Sequence, residues 1–384
     1  MEITRDIKYI GVNDKEIDLF EEQYPLKYGM AYNSYVIIDD KIAVLDTVES
    51  KFSDEWLENL KNAIGNREPD YLIIHHMEPD HSANIMDFAK KYEHAIIVST
   101  EKSFSMMEQF FGDGFAKRRM IVAENDTLPL GKHVLSFKIA PMVHWPEVMV
   151  TYDKYDKVLF SADAFGKFGT NDIEDDWEHE AARYYFGIIG KYGEQVNKLL
   201  DKIKSLDINI ICSSHGMVLK GDLDNYIEHY RKWASYEADI DGVAIIYTSV
   251  YGNTKKAVKN LAERLHLNDC TIITHDLSRC DPHAALTDAF RYKKTVLATT
   301  TYNGEIFPKM REFINMLCER NFKNRTLGLV ENGTWSPNAI KTMKKMLERS
   351  SGISYLENCV SIKSALNDES EKQLKALSDE LCKK

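Results

Sequence analysis

The stretch His76-Met77-Glu78-Pro79-Asp80-His81 holds the densest set of metal-ligand side chains in the 384-residue chain. Four of its six residues are imidazoles or carboxylates, the N and O donors that suit iron, zinc or manganese. Crowding acids and histidines onto one turn is costly unless a cation balances them, so metal chemistry is what this spacing points to. The turn follows Tyr71-Leu72-Ile73-Ile74-His75, an apolar, β-forming run that reads as a buried strand. Loops at strand C-termini are places where several side chains converge on one point. Three more ligand-type residues share that context: His144 after residues 139–143, Asp163 after 158–162, and His215 after 208–214 and before Gly216. One histidine at a strand end is ordinarily a satisfied core or surface residue; the repetition of the context is what carries weight.

The elements needed to position these residues can be read from periodicity. Residues 32–46 predict a hairpin turning at Asp39-Asp40, followed by a helix near 53–64 and strands at 95–99, 134–139, 148–152 and 157–161. The Phe/Met-rich segment from Phe104 to Phe111 reads as core. Mixed strands and helices of this kind imply two packed sheets with helices outside. After a helix-like link at Tyr226–Trp233 the pattern changes. Strands near 243–247, 271–275, 295–299, 326–330 and 354–362 alternate with helical segments at 254–266, 308–320, 337–349 and 369–382, which predicts a doubly wound parallel sheet. The expected domains are therefore 1–239 and 240–384.

Three loops of the second domain follow strand ends, where open α/β sheets bind ligands. They are Thr248-Ser249-Val250-Tyr251-Gly252-Asn253-Thr254, Thr300-Thr301-Tyr302-Asn303-Gly304 and Glu331-Asn332-Gly333-Thr334-Trp335. The first runs into a helix, and hydroxyls with backbone N–H groups at a helix N-terminus cradle a phosphate without a cation.

These two motif sets carry a resemblance that spans nearly the whole chain. His-x-Glu-x-Asp-His, then 62 residues to His144, 18 to Asp163 and 51 to His215, resembles the diiron site of the flavodiiron proteins, also called A-type flavoproteins. Their N-terminal domain is a metallo-β-lactamase-like αββα sandwich. In the zinc hydrolases of that superfamily the motif usually reads His-x-His-x-Asp-His; Glu78 in the second position shifts preference toward iron. The last interval is shorter than in many members, which implies a shortened loop near 165–195. The three loops resemble the FMN phosphate loop and the two isoalloxazine loops of flavodoxin. By this resemblance His76, Glu78 and His144 would hold one iron, Asp80, His81 and His215 the other, and Asp163 would bridge them. Tyr184 or Tyr185 would reach the substrate pocket. The implied activity is reduction of O₂ to water, of NO to N₂O, or of both, with O₂ favoured. Electrons would arrive from a rubredoxin-like protein docking near Tyr302 and Trp335. The implied assembly is a head-to-tail homodimer, or a dimer of such dimers, with FMN of one subunit against the diiron site of another. Two other classes are compatible with parts of the pattern: a dizinc hydrolase with a flavodoxin-like module, and a flavin electron carrier with a structural metal domain.

Composition narrows the partners. Acids outnumber bases 60 to 49, giving a net charge of −11, which argues against nucleic acid or an anionic membrane. With 44% apolar and 28% charged residues the chain has the make-up of an ordinary globular protein. No apolar run approaches the ~18 residues a membrane span needs, and Met1–Asp6 has no signal-peptide core, so a cytoplasmic location is expected. Six scattered cysteines without a Cys-x-x-Cys pair encode neither a zinc ribbon nor a rubredoxin-type iron site; reduced, mostly buried thiols are expected. No Gly-x-Gly-x-x-Gly is present, so direct NADH oxidation should be slow, and no rubredoxin or flavin-reductase extension is expected beyond Lys384.

Overall fold

Short runs of β-branched and aromatic residues, each closed by Gly, Pro, Asn or Asp, build the first half of the chain as strands. The computed structural model describes residues 1–112, 114, 116–173 and 177–383. Its described residues divide into two compact units, Met1–Tyr185 with Glu194–Arg231, and Phe186–Gly193 with Lys232–Lys384.

The first unit contains two six-stranded sheets. One has the order β1 (Ile7–Tyr9), β2 (Tyr35–Ile38), β3 (Ile42–Leu45), β4 (Tyr71–Ile73), β5 (Ile96–Ser99) and β6 (Arg119–Ile121). The other has the order β7 (Thr127–Pro129), β8 (Val134–Ile139), β9 (Met149–Asp153), β10 (Val158–Phe160), β11 (Ile210–Cys212) and β12 (Leu219–Lys220). Alternate residues of both sheets, among them Ile37, Leu45 and Ile73 against Phe137, Met149 and Phe160, meet in one apolar core. The opposite face of the first sheet is also buried: Val36, Val44 and Leu72 are inaccessible to solvent. The helix at Ser53–Ile64 contributes buried Trp56, Leu60 and Ile64 to the unit, so the αββα expectation holds.

The pairing explains where ligand-type residues gather. β3 to β6 run parallel, and β10 pairs parallel with β11, Phe160 opposite Cys212. The loops after β10 and β11 therefore leave the sheet side by side. Backbone bonds from Ser161 N to Cys212 O and from Ser214 N to Ala162 O extend that ladder to the residues flanking Asp163 and His215. Met149 N donates to His75 O at 3.1 Å, bringing the β4 loop of the first sheet to the same end of the second.

The second unit is a parallel sheet of β13 (Ile240–Tyr247), β14 (Ile272–Asp276), β15 (Tyr292–Tyr302), β16 (Arg325–Asn332), β17 (Ile353–Tyr355) and β18 (Val360–Ile362). Its order is β14-β13-β15-β16-β17, with β18 also on β16. The single strand expected at 354–362 is thus interrupted, both pieces pairing with β16 at successive registers.

Three expectations need revision. The division falls at Arg231/Lys232 rather than 239/240, and residues 186–193 belong with the second unit, where Phe186 stacks on Phe290 at 4.7 Å. A helix at Pro282–Arg291, capped by Asp281 with Pro282 in its first turn, was not anticipated. Of the six free thiols only Cys212 is buried; the other five are partly accessible.

Candidate metal centre and flavin cleft

All seven ligand-type residues come together at one end of the first unit. Their donor atoms fall into two groups, His76, Glu78, His144 and Asp163 in one and Asp80, His81 and His215 in the other. Asp163 joins them. Its Oδ2 lies 3.4 Å from His76 Nε2 and 3.2 Å from His144 Nε2, while its Oδ1 lies 3.2 Å from His81 Nε2 and 3.6 Å from His215 Nε2. Glu78 Oε2 is 3.1 Å from His76 and 3.0 Å from His144, and Asp80 Oδ2 is 3.4 Å from both His81 and His215.

Two of the rings have their orientation fixed from behind. His215 Nδ1 faces the carbonyl oxygen of Ala31 at 2.8 Å. A carbonyl only accepts, so that nitrogen carries the proton and the lone pair of Nε2 faces the cluster. His76 Nδ1 donates in the same way to Glu147 Oε1 at 2.8 Å, which also accepts from Met77 N at 2.9 Å. His75 faces elsewhere: its ring bridges Asp46 Oδ2 and Thr151 Oγ1, at 2.6 and 2.7 Å. The His215 loop is held by Asn33, which donates to Ser213 O and Gly216 O. Gly216 has φ +75° and a Cβ there would meet Lys167 Cγ at 2.4 Å, so only glycine serves.

Backbone strain collects around the same residues. Asp46, Met142, Ala162 and Phe165 all have φ between 50° and 67°. Such conformations cost on the order of 1 kcal/mol each for side chains of this kind.

The cluster is built for positive charge. Both oxygens of Asp80 and of Asp163 and both ring nitrogens of His81 are buried without a hydrogen-bond partner among the described residues, an arrangement protein interiors avoid unless a ligand fills it. Burial works against charging His76, yet Asp163, Glu147 and Glu78 raise it to about 10. Burial likewise opposes His81 and His144, which nearby carboxylates raise to about 9 and about 10. Burial alone would raise the Asp163 carboxyl, but His76, His81 and His144 hold it well below its usual range. Two divalent ions fit this donor set: mixed imidazole and carboxylate groups, one carboxylate with an oxygen toward each group, and orphaned carboxylate oxygens that a cation would satisfy.

A cavity of about 410 Å³ opens over Glu78 and Asp80, lined also by Phe20, Glu21 and Tyr32. Burial, then the Glu78 charge, pushes the Glu21 carboxyl up to about 7. Of the two tyrosines, Tyr184 is the one beside the cluster, its ring 5.4 Å from that of His215, and burial pushes its phenol well above the ordinary range. Tyr185 packs on Tyr230 at 5.1 Å.

In the second unit a cavity of about 420 Å³ lies at the strand C-termini, a size typical of small-molecule sites. Ser249, Val250, Tyr251, Asn253 and Thr254 line it from the first loop, residues 300–304 from the second and residues 332–335 from the third. Three expected residues are not among those that line it. Thr248 is buried and its hydroxyl bonds that of Thr299 at 2.7 Å. Gly252, with φ +89°, precedes the helix Asn253–Leu267 as its N-cap. The Glu331 carboxylate accepts from Ile340 N and Ser361 Oγ. Ser336 and Ser364 line the cavity and were missed. Ser364 lies just past β18, so the strand-end rule that selected the other loops also reaches it. Tyr251 and Trp335 are 93% and 91% exposed on this cavity, an unusual outlay of aromatic surface unless a flat ligand covers it. Thr254 and Thr300 bury hydroxyls without partners among the described residues. The cleft therefore suits a planar ring with a polar, phosphate-bearing tail.

Known proteins share both halves. The ODP family of beta-lactamases matches residues 30–216, and a flavodoxin domain matches residues 244–357. The chain is 29% identical to the anaerobic nitric oxide reductase flavorubredoxin of Escherichia coli over 359 residues, covering 90% of this chain and 74% of that protein. It is 28% identical to an uncharacterized protein of Methanocaldococcus jannaschii over 376 residues, covering 96% and 94%. Its fold matches rubredoxin oxygen:oxidoreductase from Desulfovibrio gigas with a TM-score of 0.92 at 23% identity, over 100% of this chain and 97% of that one. The flavodiiron protein of Giardia intestinalis matches with a TM-score of 0.88 at 23% identity, over 99% and 95%. A beta-lactamase-type match carrying this ligand cluster, followed in the same chain by a flavodoxin-domain match carrying this cleft, makes the chain similar over nearly its whole length to proteins that join the same two domains, flavodiiron proteins among them.

Proposed function

We propose that the protein is an FMN- and diiron-dependent oxidoreductase that reduces O₂ to water, NO to N₂O, or both, O₂ being the favoured substrate. Electrons would come from a small redox protein such as rubredoxin. The observation that carries this reading is Asp163: fully buried, with one oxygen toward each ligand group and no hydrogen bond to either oxygen. A lone structural ion would not require a carboxylate between two donor groups. The two gases are those named for the Escherichia coli and Desulfovibrio gigas relatives.

In this reading His76, Glu78 and His144 hold one iron, Asp80, His81 and His215 the other, and Asp163 faces both. When bound, the metals supply open positions for a diatomic molecule and FMN supplies a store of up to two electrons that it passes singly. The remaining work belongs to the chain. Glu147 and the Ala31 carbonyl hold two imidazoles in the tautomer that presents Nε2. Phe20, Tyr32 and Tyr184 surround His215 with apolar rings and exclude water from that side. Tyr251 and Trp335 are placed to cover the flavin ring, and Thr254 and Thr300 to bond its polar tail. Tyr302 and Trp335 mark the edge where a donor would dock. The assembly in this reading is a head-to-tail homodimer.

The test is purification of the full chain, measurement of iron and flavin, and consumption of O₂ and of NO with reduced rubredoxin as donor. Two irons and one FMN per chain with turnover of at least one gas is the expected result. Two zinc ions with ester or lactam hydrolysis, or both cofactors with no gas consumption, would refute the proposal.

A further inference from the structure

A second cluster of ligand types lies at the other end of the same sandwich. Asp6, His133 and Asp156 bring one donor atom each within 4.8 Å of one another. His133 immediately precedes β8, whose far end leads to His144; β9 starts at Met149 beside His75 and ends at Asp153 beside His133. The two clusters are thus separated by the length of a five-residue strand, roughly 17 Å.

His133 carries the argument. Its ring is fully buried. Its Nδ1 lies 2.9 Å from Asp153 Oδ2, and its Nε2, 3.6 Å from Asp6 Oδ2, has no hydrogen-bond partner among the described residues. A carboxylate behind one ring nitrogen with the other left open is the arrangement that orients histidine toward a metal. The surroundings are negative. Asp39 Oδ2 accepts from His133 N at 2.8 Å, Asp153 Oδ2 from Asp156 N at 3.0 Å, and Thr4 donates to Asp156 Oδ2. Lys132 sits among the carboxylates of Asp6, Asp39, Asp153 and Asp156, its Nζ 2.5 Å from Asp6 Oδ2. Burial lowers the basicity of His133, and Asp153, Asp156 and Asp39 raise it above the ordinary value, so the same field that would attract a cation attracts a proton. Lys132 is 39% exposed, and its ammonium competes for Asp6 while also lying 5.0 Å over the Tyr155 ring.

We propose that Asp6, His133 and Asp156 form a third metal site, which takes one divalent transition ion of the Zn²⁺ or Mn²⁺ class and staples the two sheets of the first unit together. One imidazole and two carboxylates are donors both ions accept, with water completing the shell at the accessible side. Asp6 lies at the entrance to β1 in one sheet, whereas His133 and Asp156 sit on turns of the other. An ion held by all three cross-links the sheets at the end remote from the seven-residue cluster, and its binding free energy adds to the stability of the unit.

The test uses the FMN- and iron-loaded protein, equilibrated with Zn²⁺ or, separately, Mn²⁺, with metals counted by mass spectrometry and bound Mn²⁺ followed by electron paramagnetic resonance. Wild type should take one added ion while iron stays at its starting content, and its melting temperature should rise. His133→Gln and Asp156→Asn should each weaken the added ion's binding at least roughly tenfold, with iron, FMN and gas turnover unchanged. Lys132→Met, which removes the competing ammonium, should tighten it. That variant keeps all three ligands, so it reads the site even if a ligand variant folds poorly. No added ion in wild type, uptake only in exchange for iron, or undiminished binding in both ligand variants would overturn the proposal.

Discussion

Trp335→Ala offers the cleanest separation of cofactor binding from folding. The side chain is 91% exposed on the cavity at the strand ends, so its removal leaves no void and should alter the stability of the flavin-free protein by less than about 0.5 kcal/mol. Its value lies in what covers it. A Trp side chain offers roughly 200 Å², of which a flat ring stacked on one face would cover about half. At roughly 25 cal/mol per Å², that is about 2.5 kcal/mol, with about 0.5–1 kcal/mol more from the stacking geometry. Some of the gain is spent on ordering the side chain, about 0.5–1.5 kcal/mol. The net is roughly 1.5–3 kcal/mol, a weakening of FMN binding of about 10- to 150-fold. Titration of the flavin-free protein, followed by quenching of flavin fluorescence, reads this directly. Calorimetry of the same material checks that folding is unaffected, and iron content should stay constant. If affinity falls less than about threefold while the melting temperature is also unchanged, Trp335 does not cover the ring and the assignment of the cleft face is wrong.

Asp163→Asn should abolish retention of both irons or turnover, with FMN content kept, because a neutral amide is a poor ligand to two cations at once; metal analysis with two irons and full activity would sink the bridging role. Glu147→Gln keeps one acceptor behind His76 but removes the charge, and should cost 10- to 100-fold in iron affinity or activity, read by chelator competition. Tyr184→Phe should change turnover while Tyr185→Phe leaves it near wild type, since Tyr184 packs on His215 and Tyr185 on Tyr230; equal effects would remove the distinction. Co-expression of an Asp163→Asn chain with a Gly252→Val chain should restore activity if electrons cross between subunits. Valine is chosen because the φ of +89° at Gly252, rather than lack of space, forbids side chains there; verified mixed dimers that stay inactive would point to transfer within one chain.

What could be read from the sequence was what short-range pattern encodes. Ligand-type residues at strand ends are visible because strands are short and apolar and the residues that follow them are not, so His76 to His81, His144, Asp163 and His215 stood out without any knowledge of which strands pair. What surrounds them was not visible, because it is made of distant partners. Glu147 lies 71 residues from His76, and the acceptor behind His215 is a backbone carbonyl 184 residues away, which no residue type announces. Thr248 and Glu331 were assigned to the cleft because they sit at strand ends. Near a strand end, however, side chains alternate between faces, and Thr248 bonds inward to Thr299 while Glu331 is taken up by Ile340 N and Ser361. The helix at Pro282–Arg291 had a readable start in Asp281-Pro282, so that omission was one of reading. The placement of residues 186–193 was unreadable, since it rests on the long-range stacking of Phe186 on Phe290.

The seven-residue cluster also shows why such a site is assembled on loops yet behaves as a rigid one. Left-handed residues at Asp46, Met142, Ala162 and Phe165 and buried carboxylate oxygens without partners each destabilise the metal-free fold, whereas the histidines whose basicity is raised by their neighbours offset part of that cost by holding protons. The sheets beneath supply the compensation: two fully buried faces and a continuous core shared by both. Strain of this kind persists only where the surroundings over-determine it, and here the strained residues are held by ladder, turn or side-chain bonds such as Asp46 Oδ1 accepting from His75 N at 2.7 Å. The result is a donor set already in place before any ion arrives. An ion entering such a set has little ordering to offset, so its binding free energy goes to holding charge that the protein has already desolvated.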